Sequence, residues 1–261
     1  MGSEINTVDE AQVRDAASVV LIRDGAAAIE TFTLTRSPTM AAFPNATVFP
    51  GGAADPSDEL PSEAWGSLDL TPWTRAFGDD ESTVRRLMVT AVRETFEESG
   101  VLLADRLDSR AIDPADYDAA RSALENHELS FYEFLSTHRL SVDFSRLRPL
   151  ARWVTPEGNP RRYNTRFFLA QLPPGQDALR ATGEATVARW MSPQVAFELF
   201  RRGETQLMPP TWSQFRTLRD FGSASAALAA ELEPRLVSPT IEPGDPPRRV
   251  SFPHAHEYYG H

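Results

Sequence analysis

Three glutamates fall within five residues of the stretch VRRLMVTAVRETFEESGVLLA, Val84 to Ala104: Glu94, Glu97 and Glu98. On a helix Glu94 stands at i, i+3 to Glu97 and at i, i+4 to Glu98, so all three carboxylates project near one another. Like charges so placed repel. One account is a solvated acidic face, since glutamate is a good helix former. The other is a site for a hard cation. Mg²⁺ and Mn²⁺ take oxygen ligands, and such a cation offsets the repulsion while bridging phosphate oxygens and a water. Arg93 stands one turn before Glu97, and the glycine pair of FPGG (Phe49 to Gly52) lies upstream.

The elements around these residues follow from local pattern. Met88, Ala91, Val92, Thr95 and Phe96 cover the helix side opposite the glutamates, which predicts a helix from about Ser82 to Ser99. Asp80 or Ser82 can cap its start, and Gly100 suits the left-handed residue that ends it. Ser18–Asp24, Ile29–Ser37 and the short TVFPGG segment read as strands, and 53–80 as an irregular excursion with one short helix. Residues 111–138 read as helical. Leu147–Pro156 and Arg161–Leu172 form a hairpin around EGNP, followed by a strand at Glu184–Ser192 and a helix at Ser192–Gly203. Two more helices are expected in 209–233. Residues 1–15 make a loose arm, 16–233 the domain, and 234–261 a Pro-rich, extended tail. This order predicts a mixed α/β (α+β) fold with antiparallel pairs and lacks the regular alternation of a dinucleotide-binding sheet.

The chain has 261 residues, net charge −11 and no cysteine. Disulfides, a thiolate nucleophile and cysteine zinc sites are excluded. The acidic balance argues against a nucleic-acid partner. No apolar run matches a membrane span, and the N-terminus lacks a signal pattern, so the expectation is a soluble, cytoplasmic protein without membrane contact. All 26 basic residues are arginine, which removes any phosphate-binding G-x-x-x-x-G-K-[ST] loop and leaves arginine to grip anions.

Arg93-Glu94-x-x-Glu97-Glu98-x-Gly100-Val101 resembles the second half of the Nudix box, G-x5-E-x7-R-E-U-x-E-E-x-G-U, and FPGG resembles its start with Gly52 as the box glycine. Two departures qualify the match. From Gly52 to Arg93 is 41 positions where the box has 14, an excess of 27 that implies an insertion at about 55–81. Counting back from Arg93, the first box glutamate falls on Arg85, so a carboxylate is displaced, with Asp58, Glu59 and Glu81 as candidates. Thr95 also fills a usually apolar place. A box split after FPGG, with WVTPEGNPRRYNTRFFLA (Trp153–Ala170) and LMPPTW (Leu207–Trp212) downstream, resembles the branch that includes the mammalian peroxisomal coenzyme A diphosphatase. The resemblance spans about residues 18 to 221.

That resemblance implies an α/β/α sandwich with a mixed sheet and extra C-terminal helices. It implies an Mg²⁺- or Mn²⁺-dependent hydrolase of a diphosphate linkage in a small-molecule nucleotide, with coenzyme A or acyl-coenzyme A preferred. Glu97, Glu98 and the backbone carbonyl of Gly52 or Ala53 would hold the metal. Glu94 would be a further ligand or orient the attacking water, and Arg93 would pair with a box carboxylate. Glu184 is the candidate extra ligand or base outside the box, with Glu157 behind it. Arg36, Arg162 and Arg166 are candidates for gripping substrate. Arg36-Ser37 fits the start of a motif carried by coenzyme A-cleaving members, although its later Arg and Gly are Ala41 and Asn45 here. Trp65 and Trp73 could stack a base or pack the insertion, and packing is the plainer reading. His254, His256 and His261 are expected on a solvated tail. Alternatives are ADP-ribose, NADH or a nucleoside triphosphate as substrate, a catalytically silent nucleotide sensor, and assembly as a homodimer.

Overall fold

The computed structural model describes residues 12–37, 45–178, 185–244 and 249–260. Along the chain run β1 (Val13–Asp24), β2 (Ile29–Arg36), β3 (Ala46–Val48), β4 (Gly51–Ala53), α1 (Thr71–Phe77), α2 (Glu81–Ser99) and β5 (Ala104–Arg106). Next come α3 (Asp118–Glu125), α4 (Phe131–His138), β6 (Leu140–Val142), β7 (Arg148–Val154), β8 (Arg162–Gln171), β9 (Ala185–Met191) and α5 (Pro193–Arg201). The chain closes with β10 (Gln206–Leu207), α6 (Pro209–Leu218), α7 (Ala224–Ala229), β11 (Leu236–Val237), β12 (Thr240–Ile241), β13 (Val250–Ser251) and α8 (Ala255–Tyr259).

β1 is the spine of a mixed sheet ordered β10-β3-β2-β1-β8-β7-β11, with β4 on β1 and β9 on β2. It runs parallel to β8 from Val13↔Arg162 to Ile22↔Gln171 and antiparallel to β2 and β4. Its run of Val19, Val20, Leu21 and Ile22 is wholly buried, as a strand covered on both faces requires. Alternation sends Val19 and Leu21 to one face, where α2, α3, α4 and the segment around α1 pack. Val20 and Ile22 face the other, under α5, α6 and α7. The result is the expected three-layer α/β/α arrangement.

Four expectations need adjustment. β1 begins at Val13, so the last residues of the expected 1–15 arm belong to the sheet. The stretch 111–138 is broken: a 3₁₀ turn at Pro114–Tyr117 precedes α3, and His127 at φ 56 ends α3 in the left-handed conformation before Ser130 caps α4. The excursion after β4 is better ordered than its Pro- and Asp-rich composition predicts. It holds a 3₁₀ turn at Ser62–Trp65 as well as α1, and buries Trp65, Leu70, Trp73 and Phe77 in the core beneath α2. The tail is not a solvated extension, because β11 adds to the β7 edge and Phe252 packs against Trp153 and Trp212.

Candidate active site

Helix α2 carries the three glutamates, and its ends are set as the sequence predicts. Asp80 caps it by accepting from Thr83 N at 2.9 Å, and Gly100 ends it at φ 73. The helix is buried on nearly every side, between the sheet and the α1, α3 and α4 segments. The glutamates therefore do not form a solvated face. Glu97 is only 7% exposed.

Facing them is the β4 turn. Pro50 O accepts from Val19 N at 2.8 Å and from Ser18 Oγ at 3.0 Å, which fastens the turn to β1. Gly51 N then donates to Glu98 Oε2 at 2.8 Å. A Cβ on Gly52 would lie 2.6 Å from Glu94 Cδ, so a side chain there would push the carboxylate away from the position in which Arg93 holds it. FPGG and the distant glutamates thus meet across the insertion.

Arg93 organises the cluster. Its Nε and Nη2 donate to Asp58 Oδ1 and Oδ2 at 2.7 and 2.9 Å, a bidentate pair. Its Nη1 donates to Glu94 Oε1 at 2.8 Å and to the Glu97 carboxylate at 3.2 and 3.3 Å. Asp58 is almost wholly buried and also accepts from Thr90 Oγ1 at 2.8 Å and Asp55 N at 3.0 Å. Burial opposes the charge on Arg93, yet the Asp58 hydrogen bonds and the charges of Glu94, Asp58 and Glu97 hold its pKa above the ordinary value. Burial pushes Glu97 up to about 7; Arg93 pulls against that shift and Glu94 adds to it.

Asp58 is the residue that the backward count missed. Counting forward from Gly52, the sixth residue is Asp58, where the box has its first glutamate. The interruption therefore falls after Asp58, and residues 55–58 stay with the box. Arg85, which occupies the box-glutamate position on the backward count, lies over the Trp65 ring at 4.6 Å, and of the three candidates for the displaced carboxylate it is Asp58 that pairs with Arg93.

Other candidates scatter. Arg166 is 1% exposed, and its guanidinium is taken up by Asp79, Asp15 and Asn164 O, so it offers no free face to a substrate and is corrected to an internal residue. Arg162 is partly exposed and donates to Thr155 O at 3.2 Å. Arg36 Nε is shielded from solvent and finds no acceptor among the described residues. Glu157 is exposed in the β7–β8 turn. Glu184 and His261 lie outside the described residues, as does Ala41. Trp65 stacks on Phe144 at 4.1 Å and Trp73 Nε1 donates to Leu147 O at 2.7 Å, so both pack the insertion. His254 bonds its neighbour Glu257 at 3.4 Å. A cavity of about 360 Å³ among the tail residues Glu242, Arg249, His256 and Tyr259 holds none of the clustered glutamates.

Among the described residues no three acidic or imidazole side chains converge on one point as a ready cage. The carboxylates are turned toward Arg93 and Gly51 N instead. Two observations nevertheless fit a divalent cation. The donors are hard oxygens, one on a carboxylate whose charge is disfavoured by burial. The absence of a side chain at Gly52 lets the Glu94 carboxylate approach the β4 backbone closely, which brings a carboxylate and a peptide group side by side.

The family described as NUDT19 Nudix domain matches residues 80–218. The human acyl-coenzyme A diphosphatase NUDT19 is 30% identical over 230 residues, covering 74% of this chain and 61% of that protein. Its Xenopus laevis counterpart is 25% identical, covering 82% of this chain and 64% of that protein. The chain thus spans a little over three fifths of the length of these relatives. The crystal structure of a NUDIX hydrolase from Alicyclobacillus acidocaldarius superposes with a TM-score of 0.68 at 29% identity, covering 85% of this chain and 98% of that one. No described helix is long and apolar enough to cross a membrane.

Proposed function

The chain belongs to the Nudix hydrolase family, and from that membership we propose that it hydrolyses the diphosphate linkage of coenzyme A or an acyl-coenzyme A with Mg²⁺ or Mn²⁺. The observation that carries the reading is the buried Arg93 fork, which ties Asp58 to Glu94 and Glu97 while Glu98 engages Gly51 N. Glu94, Glu97, Glu98 and the Gly52 carbonyl would hold the metal. When bound, a divalent cation supplies Lewis-acid stabilisation of charge on the phosphate oxygens. The protein's own part is to hold the acceptors in place. Asp58 fixes the Arg93 guanidinium, and Arg93 fixes the rotamers of Glu94 and Glu97. Glu94, which lies against the Gly52 backbone, would be a further ligand or orient the attacking water. The water oxygen adds to phosphorus, the bridging P–O bond breaks, and two phosphomonoesters leave. Arg36, with Nε lacking an acceptor among the described residues, and Arg162 are the candidates for gripping substrate. Glu184 remains the candidate further base.

The substrate preference rests on the likeness to the acyl-coenzyme A diphosphatases. Turnover of coenzyme A, an acyl-coenzyme A, ADP-ribose, NADH and dinucleoside polyphosphates, each with Mn²⁺ and with chelator, tests it. The expected result is the highest kcat/KM on coenzyme A or its acyl derivative, lost on chelation. A higher value on ADP-ribose or NADH would replace the substrate while keeping the chemistry. Binding without turnover of any member, metal present, would make the domain a sensor.

A further inference from the structure

The interruption of the box poses a mechanical problem. In an uninterrupted box a short loop holds the glycine turn and the glutamate helix together; here the connection between Asp58 and α2 is long and carries its own helix. Arg166 lies where that problem is solved. It is among the largest fully buried side chains of the described residues. Its Nε and Nη2 donate to Asp79 Oδ2 and Oδ1 at 2.8 and 2.6 Å. Its Nη1 donates to Asp15 Oδ1 and, at 2.8 Å, to Asn164 O.

Each partner leads to a different half of the box. Asp79 immediately precedes Asp80, the residue that caps α2. The Asp15 carbonyl accepts from Ala54 N at 2.9 Å, two residues past Gly52. Arg152 braces the same point: it donates to Phe77 O, the end of α1, and to Asn164 Oδ1 at 3.0 Å, with Asp79 3.5 Å away. Asn164 Nδ2 in turn donates to Asp15 Oδ1 at 3.3 Å. A buried ion pair contributes little net stability against an apolar replacement, but its geometry is specific. An apolar side chain could fill this space; it could not hold two carboxylates from two segments at fixed angles.

We propose that Arg166 is a positioning residue that rejoins the two halves of the interrupted box, setting α2 against β4 through Asp79 on one side and Asp15 on the other. Its effect reaches the glutamates through the Gly51 N to Glu98 contact, which requires the helix and the turn to sit in register. The proposal concerns the geometry of the box and gains its catalytic meaning from the hydrolase reading, so its test separates the two.

Arg166→Lys keeps the charge but cannot fork Asp79 and reach Asp15 at once. Asp15→Asn is milder, because that side chain is half exposed and the amide keeps an acceptor oxygen; it weakens only the β1 path, by removing the charge that faces Arg166. Amide hydrogen exchange of the metal-free protein reads the result without any hydrolysis. The Gly51 and Ala54 amides, each hydrogen-bonded in the parent, should exchange at least about tenfold faster in both variants, while Phe168 and Leu169 amides in β8 follow global stability only. Asp79→Asn added to Arg166→Lys should bring little further change. In the activity arm, kcat should fall in both variants with KM nearly unchanged, well below the melting temperature. Exchange at Gly51 and Ala54 that stays at the parent rate, or rises only in step with β8, overturns the proposal. So does a kcat loss without that exchange change. If the parent shows no hydrolysis at all, the proposed function fails and the exchange result still decides the role of Arg166; a misfolded Arg166→Lys leaves Asp15→Asn to decide it.

Discussion

Glu97 has an environment that a surface glutamate lacks: it is buried, with an arginine on one side and a second carboxylate near it. Glu97→Gln keeps the shape and removes the charge. We expect the fold to persist and kcat under saturating Mn²⁺ to fall by orders of magnitude, each factor of ten being about 1.4 kcal/mol. Activity near the parent rate would remove Glu97 from the metal site. The pKa of about 7, above the ordinary 4.5, gives a second expectation. The folded metal-free protein binds more protons than the unfolded chain between these values. The stability this group contributes is therefore complete below the unfolded value and is lost as pH rises through about 7. Urea unfolding across this range in chelator should show that decline, and Mn²⁺ should flatten it by competing with the proton. A flat metal-free profile would contradict the burial argument. Asp58→Ala leaves the buried Nε and Nη2 of Arg93 without their acceptor while Glu94 and Glu97 still hold Nη1, and should cost about 3–5 kcal/mol in the same assay; a loss below about 1 kcal/mol would mean that water replaces the aspartate easily. The carboxylate triplet was legible in the sequence because helix spacing alone brings it together. The partner of Arg93 was narrowed only to Asp58, Glu59 or Glu81, because it lies 35 residues away and two ways of counting the box give two answers.

At the scale of elements, the insertion departs most from what its composition implies. Its Pro and Asp residues read as an excursion, yet two tryptophans, Leu70 and Phe77 turn inward. Trp73 combines buried area with a hydrogen bond to Leu147 O, and Trp65 is held between Phe144 and the Arg85 guanidinium. The segment is thus part of the roof over α2. Trp73→Ala should destabilise the domain by about 3–5 kcal/mol, measured by denaturant unfolding, as for other buried tryptophans. A change within about 0.5 kcal/mol would mark the insertion as a loosely attached loop. Helix α2 itself was readable nearly to the residue, because its cap and its terminating glycine are local signals. The insertion was readable only in part: its short helix and the packing of its tryptophans were expected, but which aromatic finds which pocket depends on Phe144 and Leu147, far along the chain.

For the whole molecule, the tail carries the clearest expectation. Phe252 and Tyr258 cover Trp153, Trp212 and Phe200, Tyr258 Oη donates to Leu207 O, and Glu257 pairs with Arg216. Truncation after Pro234 should lower the melting temperature and raise binding of an apolar dye, because it uncovers the aromatic surface of α6; an unchanged melting temperature would make the tail a passive passenger. By itself the sequence determined the main strands and helices, the three glutamates on one helix, the glycine turn and the family. Each is written in spacing over a few residues, where backbone geometry dictates the outcome. Only the tertiary structure decided that Asp58 is the partner of Arg93, that Arg166 is buried among Asp79, Asp15 and Asn164, and that the tail packs on the second core. Those outcomes depend on burial, and burial is a property of segments distant in the chain meeting in space. An arginine written in a strand carries the same letter whether it faces water or two aspartates, and only the packing of β1, β8 and the insertion around Arg166 distinguishes the cases.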